Sequence, residues 1–393
     1  MVISQYYYTF AQNFIRMSIT RELEQVITNR LFKKKAIVVI GPRQVGKTTL
    51  LHLVSEKLNK KLLFLNCDEP DIRKNLELPS STQLKALIGS AELILIDEAQ
   101  RVKDIGITLK LLIDNLPDKQ VIVTGSSALD LSNSINEPLT GRKFEYKMFP
   151  FSVSELIDAN GLITEKRLLE HRMIYGMYPD VVNNQGEERE VLLNIVSSYL
   201  YKDIFDFQDI RKPEVIEKLL QALALQIGSE LSINELSQLV GVDNSTVLRY
   251  IDLLEKSYVI FHLRSFSRNV RNELKKSRKI YFYDNGVRNA LISNLNPLDL
   301  RTDVGALWEN FLISERMKRS NYDINYANCY FWRTTQQQEL DYIEDKDGLL
   351  NCFEFKWNTT KKAKLSTTFS TNYPNSVFKL INKDNYLEFI GKQ

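Results

Sequence analysis

The residues best suited to do chemistry lie between Gly41 and Thr48, where the sequence GPRQVGKT has the spacing G-x-x-x-x-G-K-[ST]. The apolar run Ala36 to Ile40 before it predicts a buried strand, and Thr49 to Leu58 after it predicts a helix. Glycines in such a loop let backbone N–H groups converge on an anion, and the helix N-terminus adds positive charge. We therefore expect Lys47 to reach the β- and γ-phosphates of a nucleotide, and Thr48 to bind Mg²⁺. Because the bare spacing also arises by chance, a second motif has to support this interpretation.

A second apolar run ends in two carboxylates. Glu92 to Asp97 predicts a strand whose carboxyl end meets the nucleotide, and Glu98 follows directly. Asp97 is expected to hold the Mg²⁺ shell and Glu98 to polarise the attacking water. Taken alone, these residues would also suit a core strand followed by a solvated acidic turn. Together with the glycine loop about fifty residues upstream, they favour a nucleotide site.

A third predicted strand, Gln120 to Thr124, leads into a Gly-Ser-Ser sequence. Its tip is the natural position for a polar group that senses the γ-phosphate. Thr124 and Ser126 are the candidates, although a simple Gly-Ser turn accounts for them almost as well.

Composition narrows the class of protein. A chain of 393 residues predicts two or three domains, and 44% hydrophobic residues are ample for buried cores. No apolar run approaches the length of a membrane span, and the Tyr- and Phe-rich segment Met1 to Arg16 does not resemble a secretory signal. Three scattered cysteines argue for reduced thiols in a cytoplasmic protein, and three dispersed histidines support no metal cluster.

A basic stretch from Arg264 to Lys279 follows a predicted array of helices. Helices are expected over Glu214 to Ile227, over Ser232 to Val240, and from Asn244 or Ser245 to Glu255, followed by a strand over Tyr258 to Leu263. This order is that of a winged helix-turn-helix, in which the third helix would offer DNA the side chains of Asn244, Ser245, Thr246 and Arg249. The basic stretch would form the wing and neutralise DNA phosphates. Such folds also serve as protein-protein modules, and a basic run is commonly a solvated face.

Charged residues near the C-terminus form a third pattern. Alternation along a strand places Glu354 and Lys356 on one face, and a preceding strand carries Asp341. Glu309 lies on a predicted helix from Gly305 to Arg319. Carboxylates that bind Mg²⁺ beside a lysine suit metal-dependent phosphodiester cleavage. A surface strand with a cross-strand charge pair would look similar, so both interpretations stay open.

The combined pattern resembles the prokaryotic AAA-type ATPases that carry a C-terminal domain of uncharacterised function. The resemblance runs from about Met17 to near the end of the chain, and it is carried by the segments GPRQVGKTT (41–49), IDEAQ (96–100), TGSS (124–127), LTGR (139–142), FPFSVSEL (149–156), YPDVV (178–182) and KIYFYD (279–284).

The resemblance implies ATP and Mg²⁺ as cofactors and assigns roles to individual residues. Nucleotide contacts fall on Gly41, Pro42, Arg43, Gln44, Val45, Gly46, Lys47, Thr48 and Thr49. Thr48, Asp97 and Glu98 serve Mg²⁺ and water activation, and a nuclease-like set comprises Glu309, Asp341, Glu354 and Lys356, with the three carboxylates as a second Mg²⁺ site. The resemblance also suggests that Arg142 contacts the γ-phosphate, in cis or from a neighbouring subunit. A structural ion pair is an equal alternative for this arginine.

We expect an α/β fold: a P-loop NTPase core with a parallel sheet, then a helical and winged-helix region, then an α/β restriction-endonuclease-like domain. The expected boundaries are an extension over 1–16, the ATPase domain over 17–154, a helical connector over 155–211, the winged helix over 212–279 and the nuclease-like domain over 280–393. The expected function is an ATPase that moves its C-terminal domains, acting on or near DNA, with a homo-oligomer or protein partner and no membrane. The alternative is a nucleotide-gated switch that hydrolyses ATP very slowly.

Overall fold

A computed structural model of the chain describes residues 19–126, 135–200, 213–267, 277–325, 327–334, 336 and 338–392. The predicted extension over 1–16 lies outside these ranges, as do Arg268, Arg271, Lys275 and Lys276 of the basic stretch. The chain divides into two compact units, Met1–Lys166 and Arg167–Gln393.

The first unit is built on a parallel sheet. Its strands are β1 (Ala36–Ile40), β2 (Leu62–Asn66), β3 (Leu93–Asp97), β4 (Gln120–Gly125) and β5 (Lys143–Lys147), in the order β2-β3-β4-β1-β5. Every pairing described is parallel. Each of β1, β3 and β4 is buried along its whole length, as expected for strands covered by helices on both faces. The predicted α/β core with a parallel sheet is confirmed.

Helices connect these strands. They are α1 (Glu22–Thr28), α2 (Lys47–Leu58), α3 (Pro70–Leu76), α4 (Ser81–Ile88), α5 (Ile105–Asn115) and α6 (Val153–Asn160), and α7 (Leu162–Arg167) runs up to the boundary of the unit. The predicted boundary at residue 154 therefore falls inside α6, and the unit extends to Lys166. Ser152 explains why α6 begins where it does, since its hydroxyl accepts from Glu155 N and the Glu155 side chain bonds back to Ser152 N.

The strand order brings three chain segments to one edge of the sheet. β4 lies between β1 and β3, with Val39 opposite Thr124 and Ile96 opposite Val123. Because the strands are parallel, their carboxyl ends meet at the same edge. The loop after Ile40, the acidic pair after Ile96 and the tip of β4 are therefore neighbours.

The second unit begins with helices. They are α8 (Leu169–Tyr175), α9 (Pro179–Asn183), α10 (Glu188–Asn194), a π-helical stretch (Ile195–Leu200), α11 (Pro213–Leu225), α12 (Ile233–Val240) and α13 (Asn244–Lys256). The order of α11, α12, α13 and the following strand is the predicted one. Asp243 is the N-cap of α13, where the sequence favoured Asn244 or Ser245.

A mixed sheet follows. Its strands are β6 (Ile260–Ser265), β7 (Arg278–Phe282), β8 (Asn328–Arg333), β9 (Glu339–Lys346), β10 (Leu349–Phe355) and β11 (Ser376–Ile381), in the order β11-β10-β9-β8-β6-β7, with β10/β11 and β6/β8 parallel. The helices are α14 (Asn285–Leu291), α15 (Val304–Tyr322), α16 (Thr367–Asn372) and α17 (Tyr386–Ile390), with a 3₁₀ turn at Leu298–Leu300.

The predicted boundary between residues 279 and 280 lies within a strand. It falls inside β7, which pairs with β6 in the same sheet as the C-terminal strands. A winged helix ending at Lys279 would have to end in the middle of that strand.

Among the helices in the described part of the chain, none is both long enough and apolar enough to cross a bilayer.

Candidate functional site

The loop from Gly41 to Lys47 needs glycine at two positions. A Cβ on Gly41 would lie 2.1 Å from the backbone oxygen of Met148, so no other residue fits without moving the backbone. Gly46 is the left-handed N-cap of α2, with φ of 91°. Gln44, between them, also has a positive φ of 61°. The loop therefore takes the tight path that the glycine spacing predicted.

The Lys47 ammonium lies inside the curl of this loop. Its Nζ donates to Gly41 O at 3.0 Å and to Pro42 O at 2.7 Å, and the residue is buried. Carbonyl oxygens at these positions give the ammonium partners that phosphate oxygens can replace. The buried Gln44 Oε1 in the same loop has no hydrogen-bond partner in the portion of the chain described.

Asp97 connects the loop to the two neighbouring strands. Its Oδ2 accepts from the Thr48 hydroxyl at 2.7 Å, and its Oδ1 accepts a short hydrogen bond from Thr124. The carboxylate is buried at the end of β3. The structure therefore brings together Thr48, Asp97 and Thr124, which the sequence selected separately from three segments.

Glu98 follows Asp97 in a left-handed conformation, with φ of 52°, at the start of a 3₁₀ turn. Its backbone N–H donates to Thr124 Oγ1 at 3.3 Å. Its side-chain Oε2 accepts from Gln100 Nε2 at 2.6 Å, and the same nitrogen donates to Ser126 Oγ at 2.9 Å. Glu98 and Ser126 are thus joined by one side chain, a link that the sequence analysis did not anticipate.

These residues fit a nucleotide with Mg²⁺. Mg²⁺ prefers oxygen ligands and is usually bound by one or two protein groups together with the phosphates. Thr48 and Asp97 supply such oxygens at the mouth of a loop whose glycines leave room for an anion. Thr49, for which a nucleotide contact was predicted, is half-buried in the first turn of α2.

Arg142 lies at the opposite edge of the sheet. Its backbone oxygen accepts from Ala36 N, at the beginning of β1, whereas the nucleotide loop follows the end of β1. The length of a five-residue strand, ~16 Å, separates the two edges. Its guanidinium donates to Asp114 at 2.7 Å in a half-exposed ion pair. The predicted role in cis is therefore corrected to a structural ion pair, and a role in a neighbouring subunit stays a prediction.

A buried ion pair that the sequence did not predict lies next to the loop Gly41 to Lys47. Arg21 Nε donates to Glu155 at 2.9 Å, and the other guanidinium nitrogens donate to Val45 O at 2.7 Å and Phe149 O at 2.6 Å. Both side chains are almost inaccessible to solvent. Val45 belongs to the phosphate loop, so Arg21 fixes the backbone that holds Lys47. The S-x-x-E spacing of Ser152 and Glu155 was the available signal, but it predicts a helix cap and not the arginine.

The second unit contains a charged cluster around Lys279. This lysine is 2% exposed, and its Nζ contacts Glu309 at 3.2 Å and makes a shorter ion pair with Glu339. The Tyr281 hydroxyl donates to Glu309 at 2.6 Å. Burial alone lowers the pKa of Lys279, but the two carboxylates outweigh burial and raise the pKa above its usual value. Lys279 is therefore not an exposed cation at the end of a basic wing, which corrects that part of the prediction.

The predicted nuclease-like residues belong to the same cluster. Lys356 Nζ donates to Glu354 at 2.7 Å, and Asp341 Oδ2 accepts from Phe355 N at 2.7 Å. Burial, followed by the charges of Glu309 and Glu354, raises the pKa of Asp341 well above its usual range. Glu309, Asp341, Glu354 and Lys356 thus influence one another electrostatically, as the sequence suggested.

The geometry that supports the first Mg²⁺ site has no counterpart at the predicted second Mg²⁺ site. Over the residues that the structure describes, no group of three or more His, Cys, Asp and Glu side chains is arranged to hold a metal ion. Lys279 and Lys356 instead provide the positive charge beside Glu309 and Glu354. Glu309 and Glu354 therefore take part in ion pairs in this structure, and the metal-binding role of Glu309, Asp341 and Glu354 stays a prediction.

The predicted DNA-reading helix α13 begins with an acidic cap. Asp243 accepts from Ser245 Oγ at 2.5 Å and from the Thr246 backbone and hydroxyl at 2.9 and 2.8 Å. The hydroxyl and backbone hydrogen bonds lower the pKa of Asp243, so the carboxylate is ionised. Asn244 bonds to Asn234, and Arg249 lies beside the ring of Tyr250. The side chains expected to contact DNA are thus already engaged, beside a negative charge.

Comparison with known protein families agrees with the geometry of the first unit. Residues 33–157 match the model of a family described as an AAA domain. Residues 166–299 and 304–387 match the models of two families, each described as a domain of unknown function. The AAA match supports an AAA-type ATPase and, with it, nucleotide binding.

Relatives are similar over most of the chain. An uncharacterised protein of Mycobacterium tuberculosis (strain ATCC 25618 / H37Rv) is 26% identical over 349 residues, which is 86% of this chain and 74% of the relative. An uncharacterised protein of Haemophilus influenzae is 25% identical over 346 residues, with 82% of this chain and 83% of the relative covered. Neither name states an activity.

Two solved structures are similar at a low level. The Thermotoga maritima RuvB Holliday junction branch migration motor is 18% identical, with 66% of this chain and 95% of the other covered and a TM-score of 0.32. A DNA replication initiation factor is 15% identical, with 60% of this chain and 86% of the other covered and a TM-score of 0.26. These TM-scores are too low to support a conclusion about this chain.

Proposed function

We propose that this protein is an AAA-type ATPase that binds Mg²⁺-ATP at the loop Gly41 to Thr48 and hydrolyses it. The main support for this proposal is that the buried Asp97 carboxylate accepts hydrogen bonds from both Thr48 and Thr124 at the edge of a parallel sheet. Lys47 and Glu98 lie in the same chain segments, one at the start of α2 and the other directly after β3. An ammonium, a hydroxyl and two carboxylates at such an edge are the groups that phosphoryl transfer requires.

Each residue has a separate task. Lys47 exchanges the carbonyls of Gly41 and Pro42 for phosphate oxygens and neutralises their charge. Thr48 and Asp97 would hold Mg²⁺, which supplies further positive charge to the phosphates when it is bound. Glu98 accepts a hydrogen bond from the attacking water and thereby orients it. Ser126 and Thr124 contribute hydroxyls at the end of β4.

A finer proposal is that nucleotide turnover moves the C-terminal part of the chain, which acts on or near DNA. The helical order α11, α12, α13 followed by β6 supports it. The acidic cap at Asp243 and the burial of Lys279 count against tight binding to phosphates through these elements. Any DNA contact would therefore use other residues of this unit as well.

Hydrolysis of ATP by the purified full chain, with and without duplex DNA, tests these proposals. Calorimetry measures ATP affinity in parallel. We expect Lys47→Ala to lose affinity and turnover together, because the ammonium binds both ground state and transition state. Glu98→Gln should keep ATP affinity and lose turnover by a factor of about 10²–10⁴.

Four results distinguish the alternatives. A folded wild-type chain without affinity for any purine triphosphate would overturn the proposal. Binding with negligible turnover, unchanged by DNA, would favour a nucleotide-gated switch. Stimulation by DNA would support action on DNA. Cleavage of plasmid DNA that is lost in Asp341→Ala would restore the nuclease interpretation.

A further inference from the structure

Gln100 connects two residues of the proposed site through one nitrogen atom. Its Nε2 lies 2.6 Å from Glu98 Oε2 and 2.9 Å from Ser126 Oγ. An ionised carboxylate only accepts hydrogen bonds, so the amide nitrogen, and not the amide oxygen, must face Glu98. The two hydrogens of the amide are then both in use, one directed to each partner.

The other end of this amide has no partner. Gln100 Oε1 is buried and makes no hydrogen bond to any residue in the described ranges. A buried acceptor without a partner is unfavourable and rare in folded proteins. The orientation of the amide is therefore explained by the two groups that its nitrogen connects.

The chain position of Gln100 makes the connection possible. The 3₁₀ turn Ala99–Arg101 follows the left-handed Glu98 and folds the chain back, so that Gln100 faces the end of β4. Since β4 is the neighbour of β3 in the sheet, Ser126 lies within reach of that turn. The bond therefore depends on the strand order and on the positive φ of Glu98.

We propose that Gln100 is a positioning residue that orients the Glu98 carboxylate relative to Ser126. The inference rests on the proposed ATPase function. Ser126 Oγ accepts from Gln100, so its own proton is directed elsewhere and is available to a terminal phosphate oxygen. The hydrogen-bond chain then runs from the phosphate through Ser126 and Gln100 to Glu98 Oε2. Glu98 Oε1 is left for the water, at an angle determined by the presence of the terminal phosphate.

The substitutions Gln100→Met and Gln100→Glu test this role in the full-length protein. Methionine keeps the length of the side chain and removes both the donor and the buried acceptor. We expect turnover to fall by about tenfold or more, while ATP affinity measured by calorimetry changes by less than about threefold. Thermal stability should stay the same or increase, since the unsatisfied oxygen is removed. Glutamate cannot donate to Glu98 and repels it, so Gln100→Glu should be slower than Gln100→Met.

Two further measurements separate positioning from a structural role. In a Glu98→Gln background, Gln100→Met should cause no additional loss of turnover, because no carboxylate remains to be oriented. Gln25→Met, the same change at an exposed position of α1, should leave turnover unchanged.

The outcomes distinguish this inference from the proposed function. If the wild-type protein hydrolyses ATP and Gln100→Met hydrolyses it equally fast, the inference is overturned and the proposed ATPase function stands. Equal losses from Gln100→Met in both backgrounds, or a marked loss of thermal stability, would also overturn it. A wild-type chain that binds ATP without turnover would overturn both.

Discussion

Arg21 and Glu155 determine the shape of the phosphate loop although 134 positions separate them in the sequence. Three guanidinium nitrogens bind one carboxylate and two backbone carbonyls, one of them on Val45. The planar fork of arginine allows this set of contacts, whereas the single ammonium of lysine does not. This buried pair therefore stabilises the backbone of the loop at Val45.

Arg21→Ala is expected to lower the free energy of unfolding by about 3–5 kcal/mol, because it leaves the buried Glu155 carboxylate without its counter-charge. Urea denaturation measures the change. Arg21→Ala combined with Glu155→Ala should be less destabilised than the sum of the two single substitutions, since the double variant buries no unpaired charge. Full additivity would show that the pair does not act as a unit.

Lys279→Met should also destabilise the chain by about 3–5 kcal/mol, since Glu309 and Glu339 lose the ammonium between them. Lys279→Met with Glu309→Gln should recover part of the loss, because one fewer carboxylate then lacks a counter-charge. Denaturation in urea provides both values. A stability equal to wild type for Lys279→Met would contradict the buried network.

At the level of single residues, the sequence identified candidate residues that belong to short, regular motifs. Lys47, Thr48 and Asp97 follow from the spacing of glycines and the ends of apolar strands. Lys279 was assigned to a basic surface because a charge run does not reveal which way a side chain points. The pattern placed Lys356 beside Glu354, but it could not show that Lys279 also lies among the carboxylates, and the metal role of Glu309, Asp341 and Glu354 stays a prediction.

Among the secondary-structure elements, β4 is the one whose position matters most for the site. The periodicity of its residues predicted a strand, but local patterns do not determine the order of strands in a sheet. Its insertion between β1 and β3 places Thr124 against Asp97, and Ser126 near Gln100. For the same reason local patterns could not show that residues 154 and 279, which were predicted as domain boundaries, lie inside α6 and β7.

The cap of α13 gives a prediction at this scale. Asp243→Asn should preserve the helix, since asparagine caps as well as aspartate, while it removes a negative charge from the N-terminus. If α13 approaches DNA, affinity for a duplex should rise at low salt and the gain should shrink as salt increases. Fluorescence anisotropy with a labelled duplex measures this. An unchanged affinity at low salt would place DNA, if it binds, away from this helix end.

Buried thiols occur in both units, and they give the whole molecule a common response to alkali. Burial raises the pKa of Cys67 in the first unit to about 12, and burial raises the pKa values of Cys352 and Cys329 in the second to about 12 and about 11. Burial also raises the pKa of Tyr281 well above its usual value. The folded state therefore holds these protons more tightly than the unfolded state does.

The sign of the pH dependence follows from these shifts. Below pH 9.0, the ordinary pKa of the thiol, both states keep the proton and the full stability is present. Between that value and the raised pKa values, the unfolded chain loses protons that the folded chain keeps, so stability falls as the pH rises, by up to ~1.4 kcal/mol per pH unit for each thiol. Urea denaturation from pH 8 to 11 should show this decline. Replacing Cys67, Cys329 and Cys352 with alanine should make the decline in stability shallower, and the remaining decline is due to tyrosine. An identical slope would mean that the thiols ionise as readily in the folded protein as in the unfolded chain.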